Sequence, residues 1–565
     1  MKSTEKKQVF LLLLTAAALC IHARFSFCQT DESFYLSTTC RLLQGDRLIL
    51  DELNPIQFFV PVLLPFFYLY SLAVPSLSGI ILYFRVISIL FSICVSLLWY
   101  FHFRKTCSSL MAFITALILL FFSRANICGP SYYNLCLRFV VLSFLIADPK
   151  SSKSVSVRNL LSGISLSLAV LCNPYLSLPI IVIYPVLLTK KQNRKQLLQT
   201  GLGILISAGL YSVLFLFKGD IFQYANNLKY VLSDPAHATS FLSSLREMID
   251  HHRNTNSMPV ICAVALLCAY VLLKRKEKPS VLFYFLQITV CLLSLLKPLL
   301  LISVIPCYSY LGSFAISLFP SILWAVLQKD RSDAVILYLA GLLVAVCFAF
   351  ASNTRYDAML VGYCLSACAG FLYLSQQITS LPQKEKGSVC FRAVCILIGT
   401  FLVTISGVQR ILGIYRDAPL SQLTVPLTDG PAAGLLTSKQ QANQYNEILQ
   451  VLKNDDLFTD DDACILNSKC VPWAYLCRHN RVGAPTTWAI PVSDPREESY
   501  LRQKNITDLY VCVYSSEVAS YQSCYFNNHK ETTTYNAQVF EGPLSGLLTD
   551  SNKIYSGRYI TVYHL

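Results

Sequence analysis

The sequence predicts a polytopic α-helical membrane protein of about thirteen spanning helices followed by a C-terminal extracytoplasmic α/β domain. Three observations predict it. Of 565 residues, 54% are hydrophobic and 14% charged, against roughly 25% charged in soluble domains, and the mean hydropathy is +0.50. Apolar runs such as Val9–Ile21, Ile80–Tyr100, Leu110–Phe122, Leu197–Phe217 and Val335–Ala351 approach the roughly 20 residues a spanning helix needs, where a β-barrel would show short alternating segments. Basic clusters recur after alternate apolar runs, as cytoplasmic loops require.

Those clusters are Lys2/Lys6/Lys7, Arg104/Lys105, Lys150/Lys153/Arg158, Lys190/Lys191/Arg194/Lys195, Lys274/Arg275/Lys276/Lys278, Lys329/Arg331 and Lys384/Lys386/Arg392. Placing all seven inside puts the N-terminus in the cytoplasm and the C-terminal domain outside. The net charge of +14 is thus accounted for by topology, and no basic patch points to a nucleic-acid partner.

In chain order, Lys2–Gln8 with Val9–Ile21 resembles a secretory signal but reads as an uncleaved first helix, because many further spans follow it. Residues 25–78 form the first outer loop. Within it, Ile56–Val74 contains Pro61 and Pro65 and has almost no linker before the next helix, so it reads as helix or hairpin at the outer interface. A span there would invert every later loop. Residues 218–257 form a second large outer loop with helical periodicity and three histidines, His237, His251 and His252, read as solvated. Residues 1–412 make the transmembrane domain and 413–565 the soluble one, with a helix at Lys439–Lys453 and strands at Leu509–Tyr514 and Tyr559–Tyr563. Most of the 22 cysteines lie in apolar runs as small hydrophobes. Five in the tail, Cys464, Cys470, Cys477, Cys512 and Cys524, leave one or two disulfides open and lack paired zinc spacing. This cysteine usage and a single sequon, Asn505-Ile-Thr507, favour a bacterial plasma membrane over a eukaryotic secretory one.

The chemistry is expected in the first outer loop, which carries Asp31-Glu32, Asp46 and Asp51-Glu52. Carboxylates are costly near hydrocarbon and are retained where they bind or react. Two acidic pairs about 20 residues apart can supply a general base and a partner for a metal ion or phosphate. Transfer from a lipid phosphate also needs cations, and Arg355 beside Tyr356, Lys297 and Arg47 are the outer candidates. The plainer reading has Asp31 and Glu32 capping a helix that begins near Ser33, Arg355 anchoring at the interface, and Arg85 or Arg138 pairing inside the bundle.

These residues resemble the GT-C glycosyltransferases, in particular the branch of protein O-mannosyltransferases and lipid A aminoarabinose transferases that uses polyprenyl-phosphate sugars. Asp31-Glu32-Ser-Phe-Tyr35 is similar to its acidic first-loop motif, Leu42-Leu-Gln-Gly45-Asp46 to the turn that follows, Glu52 with Asn54-Pro55 to its glutamate before an interfacial helix, and Arg85, Arg104-Lys105 and Arg355-Tyr356 to its basic positions. The resemblance implies an inverting transferase on the outer face of the cell membrane, acting within the cell envelope. Asp31, with Glu32 beside it, would be the base. Glu52 would bind the donor phosphate or a divalent metal ion, the one cofactor implied, and Arg355, Tyr356 and Lys297 would hold phosphate. The partners implied are a polyprenyl-phosphate sugar donor, membrane lipid, and a glycan, lipid or protein acceptor. Two departures stand out. Leu53 occupies a position where many relatives carry lysine, and Asn126–Asn134 has no acid where a second aspartate is common. Tyr132, Tyr133 and Asn134, with Tyr35, are then the candidates for binding sugar or acceptor. The alternative is a transporter or flippase of lipid-linked sugars. The lack of an internal repeat and the one-sided extramembrane domain favour the enzyme.

Overall fold

The computed structural model describes residues 2–147, 156–188, 194–216, 219–232, 241–256, 258–275, 277, 279–303, 305–352, 354–381, 388–454, 456–458, 464–466, 470–477, 482–487, 495–515, 520–521, 530–531 and 545–565. His237, Cys524 and parts of the basic clusters lie outside them.

Helix α1 (Ser3–His22) enters the bundle and is followed by the buried helix α2 (Glu32–Leu43) and by α3 (Leu64–Ala73). The stretch expected at the interface breaks into a 3-10 helix, Gln57–Val62, and α3. At 10 residues, α3 is about 15 Å long, half a bilayer core, and it leaves Phe66, Tyr68, Leu69 and Leu72 exposed. The bundle continues with α4 (Ile80–Phe103), α5 (Ser109–Phe121), α6 (Tyr132–Ile146), α7 (Val157–Cys172), α8 (Ser177–Leu188) and α9 (Arg194–Tyr211). The stretch expected as a second outer loop supplies α10 (Ile221–Leu232) and α11 (Phe241–Thr255), matching the periodicity of its sequence. Then come α12 (Met258–Leu273), α13 (Val281–Leu300), α14 (Ser309–Ser317), α15 (Phe319–Leu327), α16 (Asp333–Ala351), α17 (Tyr356–Ser380) and α18 (Ser388–Leu412).

Seven helical segments among the described residues are long and apolar enough to cross a membrane, or up to eight if the bent pair α11–α12 is one span. This differs from the thirteen expected. Apolar composition runs further than unbroken helix: α5, α6, α7, α8 and α12 have 12 to 16 residues, and α1 carries Glu5, Lys6 and Lys7 in its first turns. The most extensively packed helix pair among the described residues is α16 with α17. A Cβ added to Gly341 or Gly362 would strike the facing backbone, so bare glycine is what lets these helices approach.

Past α18 the chain forms a short antiparallel pair, β1 (Val425–Pro426) with β2 (Leu436–Thr437), then α19 (Lys439–Leu452), β3 (Cys464–Leu466), α20 (Val471–Cys477), α21 (Pro495–Lys504) and β4 (Leu509–Tyr514). The pair β5 (Ser520–Tyr521) and β6 (Lys530–Glu531) precedes β7 (Lys553–Ser556) and β8 (Ile560–His564). The main sheet has the order β3-β4-β8-β7, parallel between β3 and β4 and antiparallel elsewhere. It is no detached module. Phe27 contacts the rings of Tyr445 and Trp473, and one hydrophobic core runs from the bundle into this region. The Leu53 amide donates to Pro485 O (3.1 Å) and Asn227 Nδ2 to Ile49 O (3.0 Å), so these two loops and the C-terminal region share one end of the bundle.

Candidate functional site

The acids of the first loop meet different fates. Glu32 opens α2 and forms a bidentate pair with Arg85 of α4, Nε–Oε1 2.9 Å and Nη2–Oε2 2.5 Å. The Gly129 amide adds a third bond at 2.6 Å. Arg85 Nη1 also donates to the carbonyls of Ala23, Phe25 and Ser26, clamping the turn after α1. Both side chains are buried, and Glu32 takes three N–H donors.

Glu52 is similarly enclosed. Arg41 Nη1 reaches its Oε2 at 2.8 Å, the Thr487 amide and hydroxyl the same oxygen at 3.2 Å, and the Asn54 amide its Oε1 at 3.0 Å. Arg41 lies over the Tyr475 ring and also binds Asp46 at 2.8 Å. Burial raises the Asp51 carboxyl, but Arg47 and Lys504 outweigh it and hold its pKa at about 2. These contacts lock the Arg41–Asn54 turn. They do not fit a metal ion, because Glu52 presents its lone pairs to N–H and O–H donors. Among the described residues no three His, Cys, Asp or Glu side chains converge as ligands, and no step proposed below passes through a metal.

Asp31 behaves differently. It occupies the N-cap position of α2 with φ 28° and ψ −73°, a costly conformation for a residue with a Cβ, yet its carboxylate caps no helix N–H. It turns instead toward the segment after α18. Tyr415 donates to Oδ2, Arg416 Nη1 lies 3.2 Å from the same oxygen, and the longer bond from Tyr35 to Oδ1 is 3.4 Å. Its side chain keeps 12% exposure, against 3% for Glu32 and 2% for Glu52. Thr30 Oγ1 also approaches Oδ2 at 3.4 Å, and of these three carboxylates Asp31 keeps the largest exposed fraction.

From Asp31 an aromatic wall runs across the bundle. Tyr35 meets Tyr132 (centroids 6.1 Å), Tyr132 lies against Tyr133 (4.0 Å), and Tyr133 contacts Phe348 (5.2 Å) and bonds Ser352 Oγ at 2.8 Å. Asn134 faces inward to the loop rather than to this wall: it accepts from the Arg124 amide and donates to Ser123 Oγ and Ile127 O. Arg355 sits at the start of α17, buried, with Nε 3.3 Å from Glu247 and Nη1 on the carbonyls of Ala349 and Ser352. Tyr356 donates to Ser309 O, stacks beside His251 and meets the His252 ring edge-on. Those histidines were expected in solvent. His252 instead bonds Tyr363 at 2.6 Å, because α11 folds onto α17. Lys297 is half-buried on α13, with no hydrogen bond or ion pair among the described residues. Asp31, Tyr35, Tyr132 and Tyr133 therefore come together, while Glu32, Glu52, Asn134 and Arg355 serve the surrounding framework.

Sequence reasoning missed Tyr415, Arg416 and Arg124. Nothing in the sequence ties positions 415 and 416 to position 31. Arg124 did carry a signal, a lone arginine in an outer connection otherwise free of positive charge. Its guanidinium stands 4.3 Å over the Tyr133 ring and donates to Thr354 Oγ1 at 2.7 Å, and its buried Nε has no partner. The loop that holds it is strained, with φ 52° at Ala125 and 55° at Asn126.

No protein-family model matches the chain, and no curated protein matches it. Eight solved chains do. The Archaeoglobus fulgidus oligosaccharyltransferase, tethered to an acceptor peptide containing the NVT sequon, aligns over 90% of this chain and 69% of that one, at 12% identity and TM-score 0.48. ArnT from Cupriavidus metallidurans in the apo state aligns over 100% of this chain and 98% of that one, at 13% identity and TM-score 0.42. Both scores fall below 0.5, so the chemistry rests on this chain's own residues: a helical bundle in which the strained Asp31 carboxylate adjoins Tyr35 and the aromatic wall beyond it.

Proposed function

We propose that the protein is a membrane glycosyltransferase of GT-C type that moves a sugar from a polyprenyl-phosphate donor to an acceptor, with inversion at the anomeric carbon. The observation that carries this reading is Asp31 itself, strained, uncapping and turned away from its own helix. An acid kept only for helix stability would accept the N–H groups of α2.

In the reaction, Asp31 takes the proton of the acceptor hydroxyl. The acceptor oxygen bonds to the anomeric carbon as the carbon–phosphate oxygen bond breaks, and the bonding pair leaves with the polyprenyl phosphate. Tyr415 and Arg416 orient the carboxylate. Tyr35, Tyr132 and Tyr133 offer ring faces to the sugar, and Arg124, reaching past Tyr133, neutralises charge on the departing phosphate. The reaction takes place on the membrane face shared by the two outer loops and the C-terminal domain.

The test is release of polyprenyl phosphate from a panel of lipid-phosphate sugars by purified wild type and Asp31→Asn. Turnover by wild type that is lost in a folded Asp31→Asn supports the assignment. No turnover with any donor, alongside flipping of lipid-linked sugars in liposomes, overturns it.

A further inference from the structure

Helix α19 has two unlike faces. Tyr445 packs its ring on Phe27, and Gln441 Oε1 accepts from Gln29 Nε2 at 2.8 Å, so one face is fixed against the segment that leads to Asp31. Asn443, Asn446, Glu447 and Gln450 form a stripe on the other side, roughly 100° to 200° around the axis from Tyr445 at about 3.6 residues per turn. The three amides are exposed and Glu447 is half-buried. The β7–β8 hairpin stands against this stripe, and the two line a cleft of about 400 Å³ that Tyr555 and Arg558 complete.

Glu447 fixes the two walls to each other. The Tyr559 and Ile560 amides both donate to its Oε1, at 2.8 and 3.1 Å, which pins the hairpin turn to the helix. A Cβ added to Gly557 would lie 2.2 Å from that oxygen and 2.8 Å from the Tyr555 hydroxyl, so bare glycine lets the turn close this far. Glu447 Oε2 has no hydrogen bond among the described residues and is left to accept one from a ligand. The Arg558 guanidinium lies 5.4 Å from the Tyr559 ring centroid, at the same turn.

The volume falls within the roughly 300–1,000 Å³ of ligand sites, but those are mostly apolar and this one is lined by amides, a carboxylate, a guanidinium and a phenol. An apolar ligand has little to bury against here. An anion meets Glu447 beside Arg558, a hard cation finds a single carboxylate, and a protein surface finds no apolar anchor. Each carboxamide offers both a donor and an acceptor, as each sugar hydroxyl does, and the tyrosine ring adds an amphipathic face for a pyranose. The geometry points to a binding site for a neutral glycan on the side of α19 turned away from Phe27, separate from Asp31. It goes beyond the transfer reading, because a chain held there need not react.

The experiment is calorimetric titration of the full chain, in a detergent whose headgroup is not a sugar, with cellohexaose, mannohexaose and chitohexaose, and with oligogalacturonate as the acidic control. The proteins are wild type, Asn446→Ala, Gln450→Ala, the double variant, Glu447→Gln and Asp31→Asn. Wild type and Asp31→Asn are expected to bind at least one neutral hexasaccharide equally. Asn446→Ala and Gln450→Ala should each weaken that binding roughly twofold to tenfold, the worth of one neutral hydrogen bond. Both should melt like wild type, because both positions are exposed. The double variant should lose more than either, and Glu447→Gln should lose roughly tenfold to a hundredfold, the worth of a hydrogen bond to a charge. If Glu447→Gln does not fold, the amide variants decide. Wild type that binds no neutral hexasaccharide, that prefers oligogalacturonate to all three, or whose affinity is unchanged in the double variant overturns the site. Glycan binding that persists in Asp31→Asn, or in a wild type that transfers no sugar, supports the cleft whatever becomes of the transfer reading, so the two fail separately.

Discussion

Replacing Glu32 by glutamine removes one charge and leaves the shape of the side chain. In the native protein Glu32 satisfies two guanidinium N–H groups of Arg85 and the Gly129 amide. Glutamine must turn an NH2 toward one of those donors, and Arg85, 1% exposed, keeps only three backbone carbonyls. Breaking one partner of a buried pair costs about 3–5 kcal/mol. We expect Glu32→Gln to lose stability in that range, measured by reversible unfolding in mixed micelles. Arg85→Gln should lose a similar amount, and the double variant should lose less than the two together, by a coupling energy of about 0.5–3 kcal/mol. Transfer activity, scored on the folded fraction, should fall far less in Glu32→Gln than in Asp31→Asn. A Glu32→Gln protein that unfolds like wild type yet transfers no sugar would refute the division of labour between these adjacent acids.

Arg124→Met should lower kcat for transfer by roughly 10²–10³-fold, the usual loss when a charge-stabilising donor is removed, and an unchanged kcat would detach Arg124 from the reaction. Asp417 accepts from the Phe27 amide, Thr437 and the Ala418 amide, and burial, working against those bonds, raises its pKa to about 7. The folded protein therefore holds this proton after the unfolded chain has released it, so the Asp417 contribution to stability should fall as pH rises from about 4 to about 7, by at most about 1.4 kcal/mol per pH unit. Asp417→Asn should flatten that slope in urea melts at stepped pH, and an identical slope would remove Asp417 as its source. Gly362→Val should push α16 from α17 and cost more than about 3 kcal/mol, since the obstruction is backbone. A melting temperature equal to wild type would show that this pair yields freely.

Asp31 was legible because a carboxylate near hydrocarbon is expensive whatever the fold, and Arg85 because a charge early in an apolar helix needs a partner. Their separation, with Glu32 on Arg85 and Asp31 on Tyr415 and Arg416, was not legible. It depends on which oxygen meets Arg85 and which meets Tyr415, a choice made by chain segments 53 and 384 residues away from Glu32 and Asp31. The helical bundle was readable from hydropathy, as was the strand at Leu509–Tyr514, and the run expected at Tyr559–Tyr563 forms a strand one residue later, at Ile560–His564. The number of full-length spans was not, because composition does not show where helices such as α5 or α8 stop. Arg355 looked like a phosphate anchor from its position, whereas Glu247, on a loop helix that hydropathy treats as solvent, takes its guanidinium.

The contacts from Tyr415 to Asp31 and from Thr487 to Glu52 join residues 384 and 435 positions apart. During synthesis the first loop leaves the ribosome early, while the segments that hold Asp31 and Glu52 follow roughly tens of seconds later. Until then the nascent protein carries Asp31 and Glu52 without the partners that hold them. The first loop therefore reaches its folded geometry only once both ends of the chain have been made.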